Sequence, residues 1–186
     1  FCCAFDTASP LRGARLLGAL NACLPRDIAV YDCREVPADF HPRYHARGKR
    51  YVYRIWNAPA RNPFWEGRAL QLRRPLDDSA MSAQAADFLG RHDFAAFRAA
   101  GSAVEDTVRT VSRAEVSRQG ELVLFTVEAD GFLYNMVRIM VGTLLAQQAG
   151  QIPDGGIPAI LTSGDRNRAG ATAPACGLYL DAVRYE

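Results

Sequence analysis

The chain has 186 residues, of which 49% are hydrophobic and 23% are charged, and its formal net charge at pH 7 is +2. A chain of this size can bury a substantial core, as one domain or as one domain with a fragment of another. No apolar run approaches the roughly 20 residues that a membrane span needs. Bulk charge alone does not indicate a nucleic-acid partner. The first residue is Phe1 and not Met, so we expect a piece of a longer polypeptide.

The first part of the chain predicts two strands around a helix. Residues 1–6 and 28–36 have the composition of strands. Ser9-Pro10 provides a cap and a proline for the first turn of a helix, and the apolar stripe behind them ends near Pro25. The expected order is therefore strand, helix, strand.

A change of pattern after this region predicts a domain boundary. Pro37 and Pro42 indicate a linker, and a strand with strict alternation begins just beyond it. We therefore expect residues 1–38 to be the C-terminal part of an incomplete N-terminal domain. Residues 39–186 would form the C-terminal domain.

The second part predicts an α+β fold, with an antiparallel sheet that helices cover on one face. We expect the open face to carry Tyr51 and its basic neighbours, as in RNA-binding sheets of ferredoxin-like architecture. The predicted elements are strands over 49–56 and 69–72, a helix from Asp77 or Asp78 to Gly90, a hairpin of 108–118 and 121–129 that turns at Gln119-Gly120, a long helix after Asp130, a short helix over 157–161 and a strand over 177–185.

Basic and aromatic side chains alternate around the first of these strands. Such a mixture suits phosphate contact together with base stacking. A solvated strand face would look similar, so both interpretations stay open. The basic members are Arg43, Arg47, Lys49, Arg50 and Arg54, and the aromatic members are Tyr44, Tyr51, Tyr53 and Trp56.

The five cysteines include no C-x-x-C pair, which favours a reducing, cytoplasmic setting over a disulfide framework. Cys33 lies near His41 and His45, but this spacing matches no common zinc finger. We expect no metal site.

Arg138 lies in the middle of the long apolar helix. An arginine keeps its charge, so a buried one needs an anionic partner. In one interpretation it extends to the surface or closes a structural ion pair. In the other it holds a catalytic carboxylate in the ionised form. The apolar positions at helical spacing around it are Leu133, Met136, Val137, Met140, Val141 and Leu144.

Four blocks of this sequence, in the right order along nearly the whole chain, resemble tRNA pseudouridine synthases of the TruA type. Each block is only moderately specific, and the ordered set is the stronger signal. The blocks are residues 39–44 with 49–53, residues 92–98, residues 131–138 with 141–142, and residues 173–175 with 177–180; residues 18–25 also resemble the end of the family's first-domain helix.

The resemblance implies a homodimeric enzyme that converts uridine to pseudouridine in the anticodon stem-loop of tRNA, without a cofactor. In this family an aspartate attacks the flipped nucleotide. By position, Tyr51 corresponds to the tyrosine that stacks on the target base, and Arg138 to the partner of the aspartate. Gly177 and Leu178 would line the pocket. RNA contacts are expected from Arg43, Lys49, Arg50 and Arg98.

One departure from the family pattern affects the chemistry. The family's nucleophile lies in an arginine-threonine-aspartate motif followed by alanine-glycine, and the sequence contains no such motif. We expect the aspartate to precede Phe1 and the chain as it stands to be inactive. A non-catalytic RNA-binding module with the same basic and aromatic face is the alternative, and it would need no carboxylate. Tyr51 as an ordinary core residue also stays open.

Overall fold

The computed structural model describes residues 1–101 and 104–185. Two compact units are present, Cys2–His45 and Ala46–Glu186. Within the described ranges the helices and strands are α1 Gly13–Cys23, β1 Gly48–Asn57, β2 Leu70–Leu72, α2 Asp78–Ala85, β3 Gly90–Asp93, β4 Val108–Gln119, β5 Leu122–Ala129, α3 Met136–Gln148, α4 Gly156–Ser163 and β6 Leu178–Arg184.

The first unit contains α1, which begins at Gly13 and not at Ser9-Pro10. The helix ends at Cys23, close to the predicted end near Pro25. Residues 1–6 and 28–36, all described, form no strand, so both strand predictions are wrong. A strand needs a neighbouring backbone to pair with. At Val30 the Asn21 side chain takes the place of such a backbone, donating to the Val30 carbonyl and accepting from its N–H, both at 2.7 Å.

The second unit is a six-stranded sheet in the order β2-β1-β5-β4-β3, with β6 also paired to β1. Pairing is antiparallel, as predicted, except that β2 runs parallel to the end of β1. The predicted hairpin and the final strand are confirmed, but the turn lies at Gly120-Glu121, one residue after the predicted Gln119-Gly120. The sequence pattern does not predict β3, because Gly90 there indicates the end of the preceding helix.

Alternation along the strands builds the core. Tyr53 on β1 is in register with Phe125 on β5, which is in register with Val116 on β4. All three are buried, as are Met81 and Phe88 from the α2 region. Asp77 caps α2 by accepting from the N–H of Ala80 at 2.9 Å, as its sequence position predicts.

Helix α3 is buried on most of its circumference, which explains its long apolar run. The backbone of segment 169–174 crosses α3 in direct contact with the helix backbone. A Cβ atom on Gly142 would overlap the Ala171 carbonyl, and one on Gly170 would overlap the Gly142 backbone. The Thr143 hydroxyl accepts from the Gly170 N–H at 2.9 Å and donates to the Ile139 carbonyl at 2.8 Å. Two glycines therefore set the distance between helix and segment.

Among the described residues, no helix is both long and apolar enough to cross a membrane.

We predict that Gly142→Ala lowers the free energy of unfolding by about 3 kcal/mol or more, because the new methyl group meets backbone and not a movable side chain. Urea denaturation measures the change. Gly18→Ala in α1 is the matched helical control, since a Cβ atom there meets nothing within 4 Å. Equal effects from the two substitutions would contradict the close packing of segment 169–174 on α3.

Candidate active site

Arg138 lies in the first turn of α3 and is partly buried. Its Nε donates to the Ala173 carbonyl at 2.6 Å, and its Nη1 donates to Oδ1 of Asn135 at 2.9 Å. Within the described ranges no carboxylate lies at ion-pair distance from it. A structural ion pair with a described residue is thus excluded as the reason for this arginine. Its two partners are neutral, so its positive charge is not compensated by them.

The segment before β6 is tied to the same arginine. The Ala173 N–H donates back to the Arg138 carbonyl at 3.1 Å, so the two residues form a reciprocal pair of hydrogen bonds. Arg166 donates to the Ala169 carbonyl and to the Thr172 hydroxyl, at 3.4 Å and 3.2 Å. The segment that meets Arg138 therefore has a defined conformation at both of its ends.

Tyr53 connects this segment to the sheet. Its hydroxyl donates to the Pro174 carbonyl at 2.6 Å. Burial raises the pKa of Tyr53, the nearby Cys176 adds to the rise, and the positive charge of Arg138 opposes it. The phenol is therefore neutral at physiological pH and acts as a donor. The sequence pattern places Tyr53 among the aromatic residues of β1 and predicts neither its burial nor this hydrogen bond.

Gly177 packs against the tyrosine that holds the segment. A Cβ atom at this position would lie 2.6 Å from the Arg54 carbonyl and 2.7 Å from the Tyr53 ring. Leu178, the next residue, begins β6 in register with Tyr53. The close passage of the chain over β1 thus requires glycine here.

Tyr51 lies on the core side of β1, with Tyr53 and Ile55, and not on the open face as predicted. Side chains two apart on a strand share a face, and Tyr53 and Ile55 are fully buried. The Tyr51 ring meets Phe132 edge to face, with centroids 5.0 Å apart. Burial raises its pKa. Because Phe132 lies in the loop that leads into α3, Tyr51 is on the same side of the sheet as Arg138.

The open face of the sheet carries a different set of side chains. Arg54 lies over the Tyr179 ring at 3.9 Å and near the Trp65 ring at 5.8 Å. Trp56 stacks on Trp65 with centroids 6.3 Å apart. A shallow cavity of about 370 Å³ lies beside Arg54, Trp65 and Tyr179. The basic and aromatic pattern of β1 is therefore divided between two faces.

The other predicted RNA-binding residues lie in separate surroundings. Lys49 and Arg50 are near the start of β1, where Arg50 pairs with Asp181 at 2.5 Å. Arg98 donates to the Val104 carbonyl at 2.6 Å, and the next residue, Ala99, donates to the Tyr134 carbonyl, so this segment adjoins the loop before α3. Arg43 belongs to the first unit, where its guanidinium lies 5.9 Å from the Tyr44 ring centroid.

A cavity of about 600 Å³ lies between the α4 region and the start of β3, and none of the site residues lines it. In the part of the chain that the structure describes, no group of three or more His, Cys, Asp or Glu side chains is arranged to hold a metal ion.

Comparison with known proteins gives the chemical context. The model of a family described as tRNA pseudouridine synthase matches residues 84–186, which include Arg138 and Gly177. A protein of Acetivibrio thermocellus named tRNA pseudouridine synthase A is 46% identical over 97% of this chain and 74% of its own length. The chain belongs to the tRNA pseudouridine synthase family.

Further relatives with the name tRNA pseudouridine synthase A align over the same share of the chain. One from Pelobacter propionicus is 42% identical, and one from Moorella thermoacetica is 46% identical, each over 97% of this chain and 74% of the relative. The resemblance in the sequence blocks is thus confirmed. The alignments extend over Tyr51, which the family model's match does not reach.

We predict that Tyr53→Phe lowers the free energy of unfolding by about 1–2 kcal/mol at pH 7, because the Pro174 carbonyl loses its donor. The folded-state pKa of Tyr53 is raised, so its contribution is complete below about pH 10 and is lost as the pH rises through the folded-state value. The difference between wild type and Tyr53→Phe should therefore shrink in strongly alkaline solution.

Urea denaturation at neutral and alkaline pH measures this difference. Tyr134→Phe is the control, since Tyr134 is 58% exposed, and it should change the free energy by less than about 0.5 kcal/mol. A difference between wild type and Tyr53→Phe that is constant with pH would contradict the role of the buried phenol.

Proposed function

We propose that this chain is the catalytic part of an enzyme that isomerises uridine to pseudouridine in the anticodon stem-loop of tRNA. The observation that carries the proposal is Arg138, a guanidinium oriented by two neutral acceptors on the side of the sheet that also carries Tyr51, in a chain of this family. A non-catalytic RNA-binding module, which would not need such an arginine, is not favoured by the family assignment.

The reaction requires the target base to leave its stack. The bond from the ribose to N1 breaks, and a bond from the ribose to C5 forms after the base has rotated. C5 loses a proton, and N1 is left protonated, so the atoms of the nucleotide are conserved. An aromatic face compensates for lost stacking by roughly 1–3 kcal/mol per base. We assign that role to Tyr51, and we propose that Gly177 and Leu178, which lie at Tyr53 on the same strand, line the pocket.

The reaction also requires a carboxylate that stays ionised away from water. A guanidinium favours the ionised form and orients it through two parallel hydrogen bonds. Arg138 suits this role, because its hydrogen bonds to Ala173 and Asn135 leave its charge uncompensated. We propose that its partner is an aspartate of the family's arginine-threonine-aspartate motif, outside these 186 residues. The chain alone would then bind tRNA without turnover.

The remaining parts of the proposal concern binding and assembly. We assign phosphate contacts to Arg43, Lys49, Arg50 and Arg98, since such contacts position RNA without reading its sequence. Residues 1–38 would end an N-terminal domain, and residues 39–186 would form the catalytic domain. A homodimer and a cytoplasmic location follow from the resemblance to the family, and sedimentation of the enzyme would test the dimer.

The test is release of tritium from tRNA labelled at C5 of uridine. The chain of 186 residues is compared with a longer form that carries the aspartate motif. Release by the longer form alone supports the proposal. Release by the short chain would mean that one of its own carboxylates reacts, and the assignment of Arg138 would be wrong. Binding of tRNA without release by either form would favour the RNA-binding module.

We predict that Arg138→Ala in the longer form lowers kcat by about 100-fold or more, because the carboxylate loses its orientation and its stabilising charge. The affinity for tRNA should change little, and Arg138→Lys should recover only part of the rate, since lysine cannot form a bidentate pair. Tritium release and filter binding measure the two quantities. An equal loss of rate and affinity would indicate a structural arginine.

We predict that Tyr51→Phe keeps most of the stacking contribution, whereas Tyr51→Ala loses roughly 1–3 kcal/mol of it. Single-turnover rates of tritium release give the comparison. If Phe and Ala behave alike, Tyr51 does not act through stacking.

A further inference from the structure

Asn135 has a backbone conformation that no other described non-glycine residue shares. Its φ is 59° and its ψ is 10°, in the left-handed region. A side chain makes this region costly, and asparagine tolerates it better than most residues. Such a conformation persists where the surroundings require it, and it occurs often at functional sites.

The side chain of Asn135 does not do what its position predicts. An asparagine immediately before a helix normally accepts from a backbone N–H of the first turn. Asn135 precedes α3 and makes no such side-chain cap. Its Oδ1 accepts instead from Nη1 of Arg138 at 2.9 Å. The loss of the cap and the unusual backbone therefore both accompany one contact with Arg138.

That contact completes the orientation of the guanidinium. The group is planar, so two hydrogen bonds to different nitrogens fix both its position and its plane. Nε is fixed by Ala173 and Nη1 by Asn135. Nη2 has no hydrogen-bond partner among residues 1–101 and 104–185, so its N–H groups are available to a carboxylate.

An amide is the suitable group for this purpose. It accepts a hydrogen bond without carrying charge, so it orients Arg138 and leaves its charge for another partner. A carboxylate at position 135 would keep the hydrogen bond and compensate that charge. It would then compete with the nucleophile.

We propose that Asn135 is a positioning residue of the isomerisation: its amide oxygen aims the Arg138 guanidinium at the nucleophilic carboxylate, and its left-handed backbone presents that oxygen. This role rests on the proposed function. It acts through Arg138 and requires no contact between Asn135 and the substrate.

Three substitutions at Asn135, made in the longer form, separate the effects of the hydrogen bond to Arg138, of the left-handed backbone and of an added charge. Asn135→Gly keeps the left-handed backbone and removes the hydrogen bond. Asn135→Ala removes the hydrogen bond and also strains the backbone. Asn135→Asp keeps the hydrogen bond and adds a charge. Asn62→Gly removes an asparagine cap that accepts from the Phe64 N–H, and it controls for the general loss of a cap.

We expect Asn135→Gly to lower kcat by about 10- to 100-fold with KM nearly unchanged, because a small misplacement of a catalytic group has effects of this size. Asn135→Asp should lower kcat further. Asn135→Ala should match Asn135→Gly in kcat but unfold at a lower urea concentration, and Asn62→Gly should keep kcat within about two-fold. A kcat that follows the urea midpoint across the set, or an unchanged kcat in Asn135→Gly, would overturn the positioning role.

A second measurement does not depend on turnover. Nitrogen-15 spectra of the 186-residue chain report rotation of the Arg138 guanidinium about its Nε–Cζ bond, which exchanges Nη1 with Nη2. Separate Nη signals in the wild type that merge in Asn135→Gly support the role, and identical spectra overturn it. A longer form with no isomerase activity would overturn the proposed function and this role together. An active longer form with Asn135→Gly at the wild-type rate would overturn this role alone.

Discussion

The backbone contact between α3 and segment 169–174 is the interaction on which the site depends. Gly142 and Gly170 allow the two backbones to approach, and Thr143 bridges them with its hydroxyl. At the end of the same contact, Arg138 and Ala173 exchange two hydrogen bonds. The position of Arg138 Nε is therefore set by main-chain packing, and the Asn135 side chain completes the orientation of the guanidinium.

The partners of Arg138 explain why a charged residue is tolerated in an apolar helix. A partly buried charge needs hydrogen bonds, and two neutral acceptors supply them without an ion pair. This arrangement costs free energy relative to a well-packed apolar residue.

The division of β1 into two faces changes the interpretation of its basic and aromatic pattern. Tyr51 belongs to the side covered by helices, and Arg54 and Trp56 belong to the other side. Tyr179 and Trp65 contact Arg54 there. Base stacking and phosphate contact therefore cannot be assigned to one continuous basic and aromatic face of β1, because Tyr51 lies on the helix-covered side.

The sequence by itself determined the elements whose residues alternate or recur at helical spacing: β1, the hairpin of β4 and β5, and the buried helix with Arg138 inside it. Local periodicity carries that information, because the two sides of an element have different surroundings. It did not decide which side of β1 is buried, since Tyr51 lies on the core side. The ordered blocks also determined the family.

The tertiary structure alone decided the partners of Arg138, the conformation of Asn135 and the absence of strands in the first 45 residues. The carbonyl oxygens of Ala173 and Pro174 accept the hydrogen bonds of Arg138 and Tyr53. Every residue has such an oxygen, so the residue types at these positions do not predict the contacts. Asn135 before a helix has the appearance of an ordinary cap. A segment with strand composition, such as residues 28–36, becomes a strand only when another backbone is present to pair with it. Contacts between distant backbones leave no local pattern, and only the folded chain brings them together.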